Sequence, residues 1–569
     1  MKLSLYLIIT LLCADVTAQV ANRFDIVLHE LLADPLPQVG LPASEFIELR
    51  NVSSTAFNLR NWKISDGSST STININYTLQ PDSCVVICPS SAVSAFSLTG
   101  AAIGVTAFPS LNNDADIITL TSPEGRTIHA IAYDLSWFEN AVKSDGGWTL
   151  EMIDARYPCG GAGNWRASRD PTGGTPGRRN SVEDIVTDRQ PPALIRTYAK
   201  DSITIVAVFD EPMDSLSAAL PAHYSFDKGI VVVYARPSPP LFTEVALHTA
   251  QPLVRGNVYT LTVTGVTDCA GNDMGLMNSA RTGLSSEARN GDAVINEVLF
   301  NPAGIGTDYI EFYNRSNKIL DASSLFIGQR NSTGNIGAVK KLSEQPFLVF
   351  PGDYLVVTEN PRLVHAQYAV MHPRNMLTLP SMPPLPDDKG NIILLNASGD
   401  ILDELLYDES WHFALLSEVQ GVALERIDPG LPGQDRGNWT SAASDVRYGT
   451  PTYRNSQFRS VHTLQAIIAV SPPVFSPDND GRDDFCFIHY QLAVPGKVGT
   501  VTVYDTDGNI VRNLSPPATL SEKGFFRWDG LDNKGAGMPS GIYIIHTTVF
   551  DLQGNVKNFK NTVTLAQGF

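Results

Sequence analysis

Four aspartates crowd one short stretch, Asp478-Asn479-Asp480-Gly481-Arg482-Asp483-Asp484. Carboxylates near alternate positions, with a glycine for a sharp turn, are what a hard, oxygen-seeking cation such as calcium requires. Asp478, Asp480, Asp483 and Asp484 are therefore the candidate metal ligands of the chain. The stretch is not an EF-hand loop: with Gly481 at the invariant sixth position, the twelfth is Phe487 and the bidentate carboxylate is missing. The competing reading is a solvated, aspartate-rich turn. A second acidic loop, Asp529-Gly530-Leu531-Asp532-Asn533, reads first as a hairpin.

Two pairs of carboxylates suggest acid–base chemistry. Glu30 with Glu48, and Glu297 with Glu311, have the residue types of a glycosidase pair. Both pairs lie among strand-forming and turn residues, and the pair recurs, so the expectation is a structural hydrogen-bonding role at a sandwich end. No catalytic residue is assigned. Trp137, Trp165, Trp411 and Trp439 would be sugar-stacking platforms if exposed, but at fixed places in a repeat they read as core or lid. The ten histidines are scattered, and His29-Glu30 lacks the second His, at Ala33, that a zinc protease helix needs. There is no nucleophile elbow or phosphate loop.

Apart from Cys13, the cysteines are Cys84, Cys88, Cys159, Cys269 and Cys486, an odd number without a disulfide framework. Cys84-Val85-Val86-Ile87-Cys88 reads as a strand, whose four-residue span of roughly 13 Å forbids a bridge needing Cα atoms within about 7 Å. One of the two reaches Cys159 if the compartment is oxidising, or both are small buried strand residues. Cys84 and Cys88 lack the turn that would converge them on zinc.

The elements that position these residues come in two copies. Tyr133-Asp134-Leu135-Ser136-Trp137, Leu150-Glu151-Met152-Ile153-Asp154, Gly163-Asn164-Trp165, Gly174-Thr175-Pro176 and Arg179-Asn180-Ser181 form one set. Tyr407-Asp408-Glu409-Ser410-Trp411, Leu424-Glu425-Arg426-Ile427-Asp428, Gly437-Asn438-Trp439, Gly449-Thr450-Pro451 and Arg454-Asn455-Ser456 answer it at a near-constant offset. Short alternating runs such as Phe46–Leu49, Ile117–Thr121, Ile203–Val208, Tyr259–Val263 and Thr500–Tyr504 are bounded by turn residues. They predict an all-β chain of tandem Ig-like sandwiches. Glu124-Gly125, Asp507-Gly508-Asn509 and Gln553-Gly554-Asn555 mark hairpins. The few helices expected are short: Ser91–Phe96, Ser215–Leu220 and Arg362–Tyr368.

A chain of 569 residues divides into several domains. Its net charge of −18 argues against nucleic-acid binding and polybasic membrane contact. Lys2, the apolar run Leu3–Leu12 and Val16-Thr17-Ala18 predict a signal peptide with the mature start at Gln19. A lipid anchor at Cys13 is the alternative, disfavoured by the bulk of Leu12. No later stretch has the apolar length of a membrane helix.

Val294-Ile295-Asn296-Glu297-Val298-Leu299-Phe300-Asn301-Pro302 and Asp308-Tyr309-Ile310-Glu311-Phe312-Tyr313-Asn314 closely resemble the start of bacterial lamin-tail domains. Leu28-His29-Glu30-Leu31-Leu32-Ala33-Asp34-Pro35 and Glu45-Phe46-Ile47-Glu48-Leu49-Arg50-Asn51 are a divergent version, with His29 where the pattern has Asn. Phe209-Asp210-Glu211-Pro212-Met213-Asp214 and Thr267-Asp268-Cys269-Ala270-Gly271-Asn272 resemble loops of bacterial Ig-like domains of the surface-layer type. The 478–484 loop, Val503-Tyr504-Asp505-Thr506-Asp507-Gly508, Trp528-Asp529-Gly530 and Pro539-Ser540-Gly541-Ile542-Tyr543 resemble type IX sorting modules and the Ig-like domain of the flagellar hook-capping protein.

These resemblances imply a leader (1–18), a lamin-tail domain (19–183), an Ig-like domain (188–284), a second lamin-tail domain (290–458) and a C-terminal sorting or anchoring module (466–569), four beads on Pro-bearing linkers. They imply a secreted or surface protein of a Gram-negative bacterium, without enzymatic activity, acting in adhesion or scaffolding. Its expected partners are the secretion machinery and an unidentified protein or glycan ligand. The alternative is an accessory or targeting component of an extracellular hydrolase system. DNA binding rests on analogy with nuclear lamin tails and conflicts with the acidic charge.

Overall fold

The computed structural model describes residues 20–414, 416, 418–458, 467–492, 496–550 and 555–566. The expected leader, Gln19, the start of the C-terminal module at 466 and part of the Gln553-Gly554-Asn555 turn lie outside the described residues. Regular structure is almost all strand, and the α-helices among the described residues are Val93–Phe96 and Pro361–Gln367. The all-β, tandem-sandwich fold expected from the sequence is what the chain adopts.

In the first copy six strands build one sheet: β1 (Ile26–Leu32), β2 (Phe46–Asn51), β3 (Cys84–Pro89), β4 (Ala102–Val105), β5 (Leu150–Met152) and β6 (Trp165–Ala167). Their spatial order is β6-β5-β1-β2-β3-β4. The second copy repeats it with β7 (Ala293–Leu299), β8 (Tyr309–Asn314), β9 (Tyr354–Thr358), β10 (Met376–Thr378), β11 (Leu424–Arg426) and β12 (Trp439–Ser441), ordered β12-β11-β7-β8-β9-β10. In each, the last pair (β3 with β4, β9 with β10) is parallel and the other neighbours are antiparallel.

A four-stranded sheet closes each sandwich, and the main core lies between the two layers. Leu31, Ile47, Leu49, Ile118, Leu120, Ile131 and Trp165 share it in the first copy; Val298, Ile310, Phe312, Ile392, Leu394 and Trp439 share it in the second. The outer face of the six-stranded sheet is covered as well. Phe96 of the short helix packs on Leu32, Phe46, Val86 and Cys88, and Val364 and Tyr368 pack on Leu299, Tyr309 and Val356. Burial on both faces explains why every residue of β1 and β7 is buried, where a one-faced strand would alternate. The Pro361–Gln367 helix starts where the Asn360 side chain accepts the amides of Arg362 and Leu363, with Pro361 at its first turn.

The Ig-like segment is built on the antiparallel pairs Thr204–Phe209 with Glu244–Thr249 and Tyr224–Phe226 with Tyr259–Val263. In the C-terminal module a three-stranded and a five-stranded sheet enclose Phe475, Trp528, Tyr543, Ile545 and Val563. By contacts the chain forms two compact units. One runs to Arg196 with Ile203–Pro252 and Thr260–Ala280; the other comprises Thr197–Ser202, Leu253–Tyr259 and the chain from Arg281.

Of the two readings of Cys84 and Cys88, unbridged strand residues or a partner for Cys159, the structure has the first, with Cys88 buried and Cys84 partly exposed. Cys159 is bonded to Cys269, at a sequence separation of 110 residues, rather than to Cys84 or Cys88. Within their unit, Met213 bridges to Asp268 and the Arg23 guanidinium stacks over Phe242, which brings the Ig-like loop containing Cys269 to the first copy. Cys84 and Cys88 remain thiols on β3. Peptide mapping without reductant is expected to recover one cross-linked pair, the Cys159 and Cys269 peptides. Recovery of a Cys159 peptide joined to Cys84 or Cys88 would contradict it.

Candidate functional site

The glutamates singled out by the repeat stand side by side. On β1 and β2, Glu30 is opposite Glu48, and on β5 it is opposite Glu151. In the second copy Glu297 is opposite Glu311 and Glu425. Three carboxylates on three adjacent strands thus form a row on the outer face of each sheet, and all six have zero exposure. A bulge at the strand centre, between Leu28 and Glu30 and between Ile295 and Glu297, sets this register. Glu151 and Glu425 were legible only as letters of a landmark; their place in the row depends on strand pairing.

Buried like charges in a row are destabilising unless donors meet them. The Gly-Thr-Pro-x-x-x-Asn-Ser segment supplies those donors. Glu30 accepts the Thr175 amide at 2.6 Å and the Thr149 hydroxyl at 2.8 Å. Glu48 accepts the Gly177 amide at 2.5 Å and lies 2.8 Å from His29 Nδ1. Glu151 accepts the hydroxyls of Thr175 and Ser181 and the Val182 amide. The second copy repeats this with Thr450 bridging Glu297 and Glu425, Thr452 N–H on Glu311 at 2.6 Å, and Ser456 and Gln457 on Glu425. Asn180 and Asn455 fasten the segment by donating to the carbonyls of His29 and Met152, and of Asn296 and Arg426. Tyr309 adds a short hydroxyl contact to Glu297.

Burial holds several of these groups above the ordinary carboxylate range. Glu30 is raised by burial, then by the charges of Glu48 and Glu151. Glu311 is raised by burial, then by Glu297. Glu425 is pushed up to about 8 by burial and the Glu297 charge. The chain's own closing segment thus covers these buried carboxyls and supplies most of their donors.

The aspartate loop is only partly brought together. Oxygens of Asp478, Asp480 and Asp484 lie within 4.8 Å of one another, but Asp483 is not among them. Left-handed backbone at Asn479, Gly481 and Asp483 breaks the simple alternation on which a four-ligand reading depends. Asp484 accepts the amides of Asn479 and Gly481, Asp478 that of Asp480, and Asp480 that of Arg482. The loop is therefore closed by its own hydrogen bonds, and an ion would add to a shape already made. Asp532 accepts the Lys534 and Ala536 amides, the hairpin expected there. Trp137, Trp165 and Trp439 are buried, and the half-buried Trp411 packs against the second core.

Two further clusters were not read from the sequence. Asp188, Glu211 and Asp268 converge beside Cys269, drawing on the two Ig-like loop motifs, and burial followed by Asp268 pushes Glu211 to about 8. His29, Glu48 and Cys84 converge at the first copy's row. Next to them lies a cleft of about 720 Å³ lined by Arg50, Tyr77, Cys84, Arg178 and Arg179.

With this geometry in view, residues 19–134 match the lamin tail domain family and residues 486–549 match the FlgD Ig-like domain family. No curated protein matches the sequence. Among solved structures the chain is similar to the S-layer protein rSbsC(31-844), at 11% identity over 66% of this chain and 54% of that one, with a TM-score of 0.16. It is also similar to PorZ of Porphyromonas gingivalis, at 11% identity over 80% and 56%, with a TM-score of 0.17. A calcium-stabilised, ice-binding adhesin of an Antarctic bacterium aligns at 9% identity over 96% and 100%, with a TM-score of 0.12. The chain spans about half the length of the S-layer structures that it matches over two thirds of its own.

Two expectations follow from the carboxylate rows. Thr450→Val keeps the side-chain shape and removes the hydroxyl shared by Glu297 and Glu425, and should destabilise the second copy by roughly 1–3 kcal/mol in denaturant unfolding. Glu425 has a folded value above its ordinary 4.5, so its contribution is full below that pH and is lost as pH rises toward about 8. Across this window the thermal midpoint of Glu425→Gln should fall less steeply with pH than that of the parent; an equal slope would mean that this carboxyl is not the titrating group.

Proposed function

We propose that the chain is a secreted, non-enzymatic protein of the outer cell surface of a Gram-negative bacterium, acting in adhesion or scaffolding through its sandwich domains and exported by a type IX-like route. The observation that carries this reading is the fate of the carboxylates. The residues with the best claim to acid–base chemistry are wholly buried and hydrogen-bonded by the same closing segment in both copies. What the domains offer a partner is surface, which on sandwiches means loops and sheet faces held by a rigid scaffold.

The lamin tail and FlgD Ig-like matches support modules that bind or space rather than transform. A protein or glycan partner accords with the net charge of −18, which disfavours nucleic acid. No helix among the described residues is long and apolar enough to cross a membrane. Beyond the leader, a sorting role for the 466–569 module and calcium in the 478–484 loop belong to the same proposal.

The test is the location and intact mass of the native protein in cell-surface, culture-medium and cytosolic fractions. We expect recovery outside the cytosol with a start at Gln19, and loss of the segment after about residue 466 if the last module is a removable signal. A cytosolic chain with an intact leader would overturn the reading.

A further inference from the structure

The two copies share the carboxylate row but differ beside it. Strand register makes Arg50 opposite Cys84 in the first copy equivalent to Tyr313 opposite Tyr354 in the second, and the shared bulge makes His29 equivalent to Asn296. In the second copy this corner contains, among the described residues, no His or Cys beside the carboxylate. Asn296 donates to Glu311 at 2.8 Å and to Asn455 at 2.6 Å, and Tyr313 stacks on Tyr354 with ring centroids 4.7 Å apart.

In the first copy an imidazole, a carboxylate and a thiol meet at the same corner. His29 Nδ1 is 2.8 Å from Glu48 Oε1 and 3.9 Å from Cys84 Sγ, and the three donor atoms lie within 4.8 Å of one another. His29 and Glu48 are buried, whereas Cys84 is partly exposed and lines the 720 Å³ cleft. We propose that His29, Glu48 and Cys84 bind a divalent transition metal ion of the zinc type, leaving a fourth coordination position directed at the cleft.

The chemistry of the donor set favours that ion class. One nitrogen, one sulfur and one carboxylate oxygen suit zinc and disfavour calcium and magnesium, which take oxygen. A tetrahedral zinc ion sets its nitrogen and sulfur ligands about 3.5 Å apart and its nitrogen and oxygen ligands about 3.3 Å apart. On the two distances from His29 Nδ1, loading draws the thiol in and eases the carboxylate out, each by about half an ångström or less. A partly exposed sulfur beside an open cleft gives the ion a way in.

The proton inventory is also explicit. Arg50, 3.3 Å from His29 Nε2, can only donate, so in the metal-free protein Nε2 accepts and Nδ1–H points to Glu48. Coordination through Nδ1 shifts that proton to Nε2 and releases the thiol proton to solvent. Arg50 then gives up His29 but keeps Asp82, at 2.8 Å. Thiolate and carboxylate together neutralise the divalent charge.

The experiment uses the untagged mature chain, stripped with a chelator and kept from air oxidation. Zinc affinity is read by competition with a chromophoric chelator, and cobalt(II) serves as the spectroscopic probe. We expect one tight equivalent and a thiolate-to-cobalt charge-transfer band that Cys84→Ser abolishes. His29→Asn should weaken zinc by at least about tenfold. That variant installs the residue of the second copy, where the amide keeps the bond to the carboxylate, so its fold is preserved and circular dichroism checks this. Absence of the band, or an affinity unchanged by both substitutions, would overturn the proposal and send any bound ion to the aspartate clusters.

Discussion

Three glutamates buried in a row are the constraint on which each of the two repeated copies depends. Water normally solvates such groups, and removing it costs several kcal/mol per charge unless protein donors replace it. Neighbouring strands cannot provide them, because their amides are already used in the ladder. A separate segment has to cross the outer face with amides and hydroxyls directed downward. This explains why Gly-Thr-Pro-x-x-x-Asn-Ser recurs. Gly174 is pressed so near the row that an added Cβ would lie 2.7 Å from Glu30 Oε1. Gly177 delivers its amide to Glu48 from a left-handed backbone at φ 76°, and Thr452 does the same for Glu311 at φ 75°. A β-branched residue in that conformation is strained, and the bond to the carboxylate is one of the contacts that hold it there.

The same constraint reaches past the family match in the first copy. The lamin tail match stops at residue 134, yet the donors to the row come from Thr149, Thr175, Gly177, Ser181 and Val182. The carboxylates are therefore covered only when the chain returns across β1. The row thus couples residues about 150 positions apart. Contacts of that range carry a high loop-closure cost, which slows folding.

How much of this was legible follows from which signals are local. Strand runs, the hairpins at Gly125 and Gly508 and the short helix near Arg362 are properties of a few consecutive residues, and they were legible. The repeat exposed Glu30, Glu48, Glu297 and Glu311 and, by recurring, argued for structure over catalysis. It did not expose the row, because Glu151 and Glu425 join it only through pairing across strands set by a bulge. The Cys159–Cys269 bond was hidden for the same reason: its two ends lie in separately patterned segments, and nothing local at Cys159 indicates which loop it meets. In the 478–484 loop, spacing suggested four converging carboxylates, whereas positive φ at Asn479 and Asp483 turned one of them away.

Once the row and its cover are fixed, the positions around them are free to differ. The second copy invests its divergence in cohesion: Arg426, buried where the first copy has Met152, reaches Asp403 at 2.6 Å and the Ile295 carbonyl, and an aromatic pair fills the corner beside Glu311. The first copy places His29, Arg50 and Cys84 at that corner and leaves a cleft outside it. Both copies keep a buried polar side chain beside this carboxylate, His29 against Glu48 in the first and Asn296 against Glu311 in the second. The copies therefore differ in what lies outside the row: an aromatic pair in the second, and in the first a cleft lined by Arg50 and Cys84.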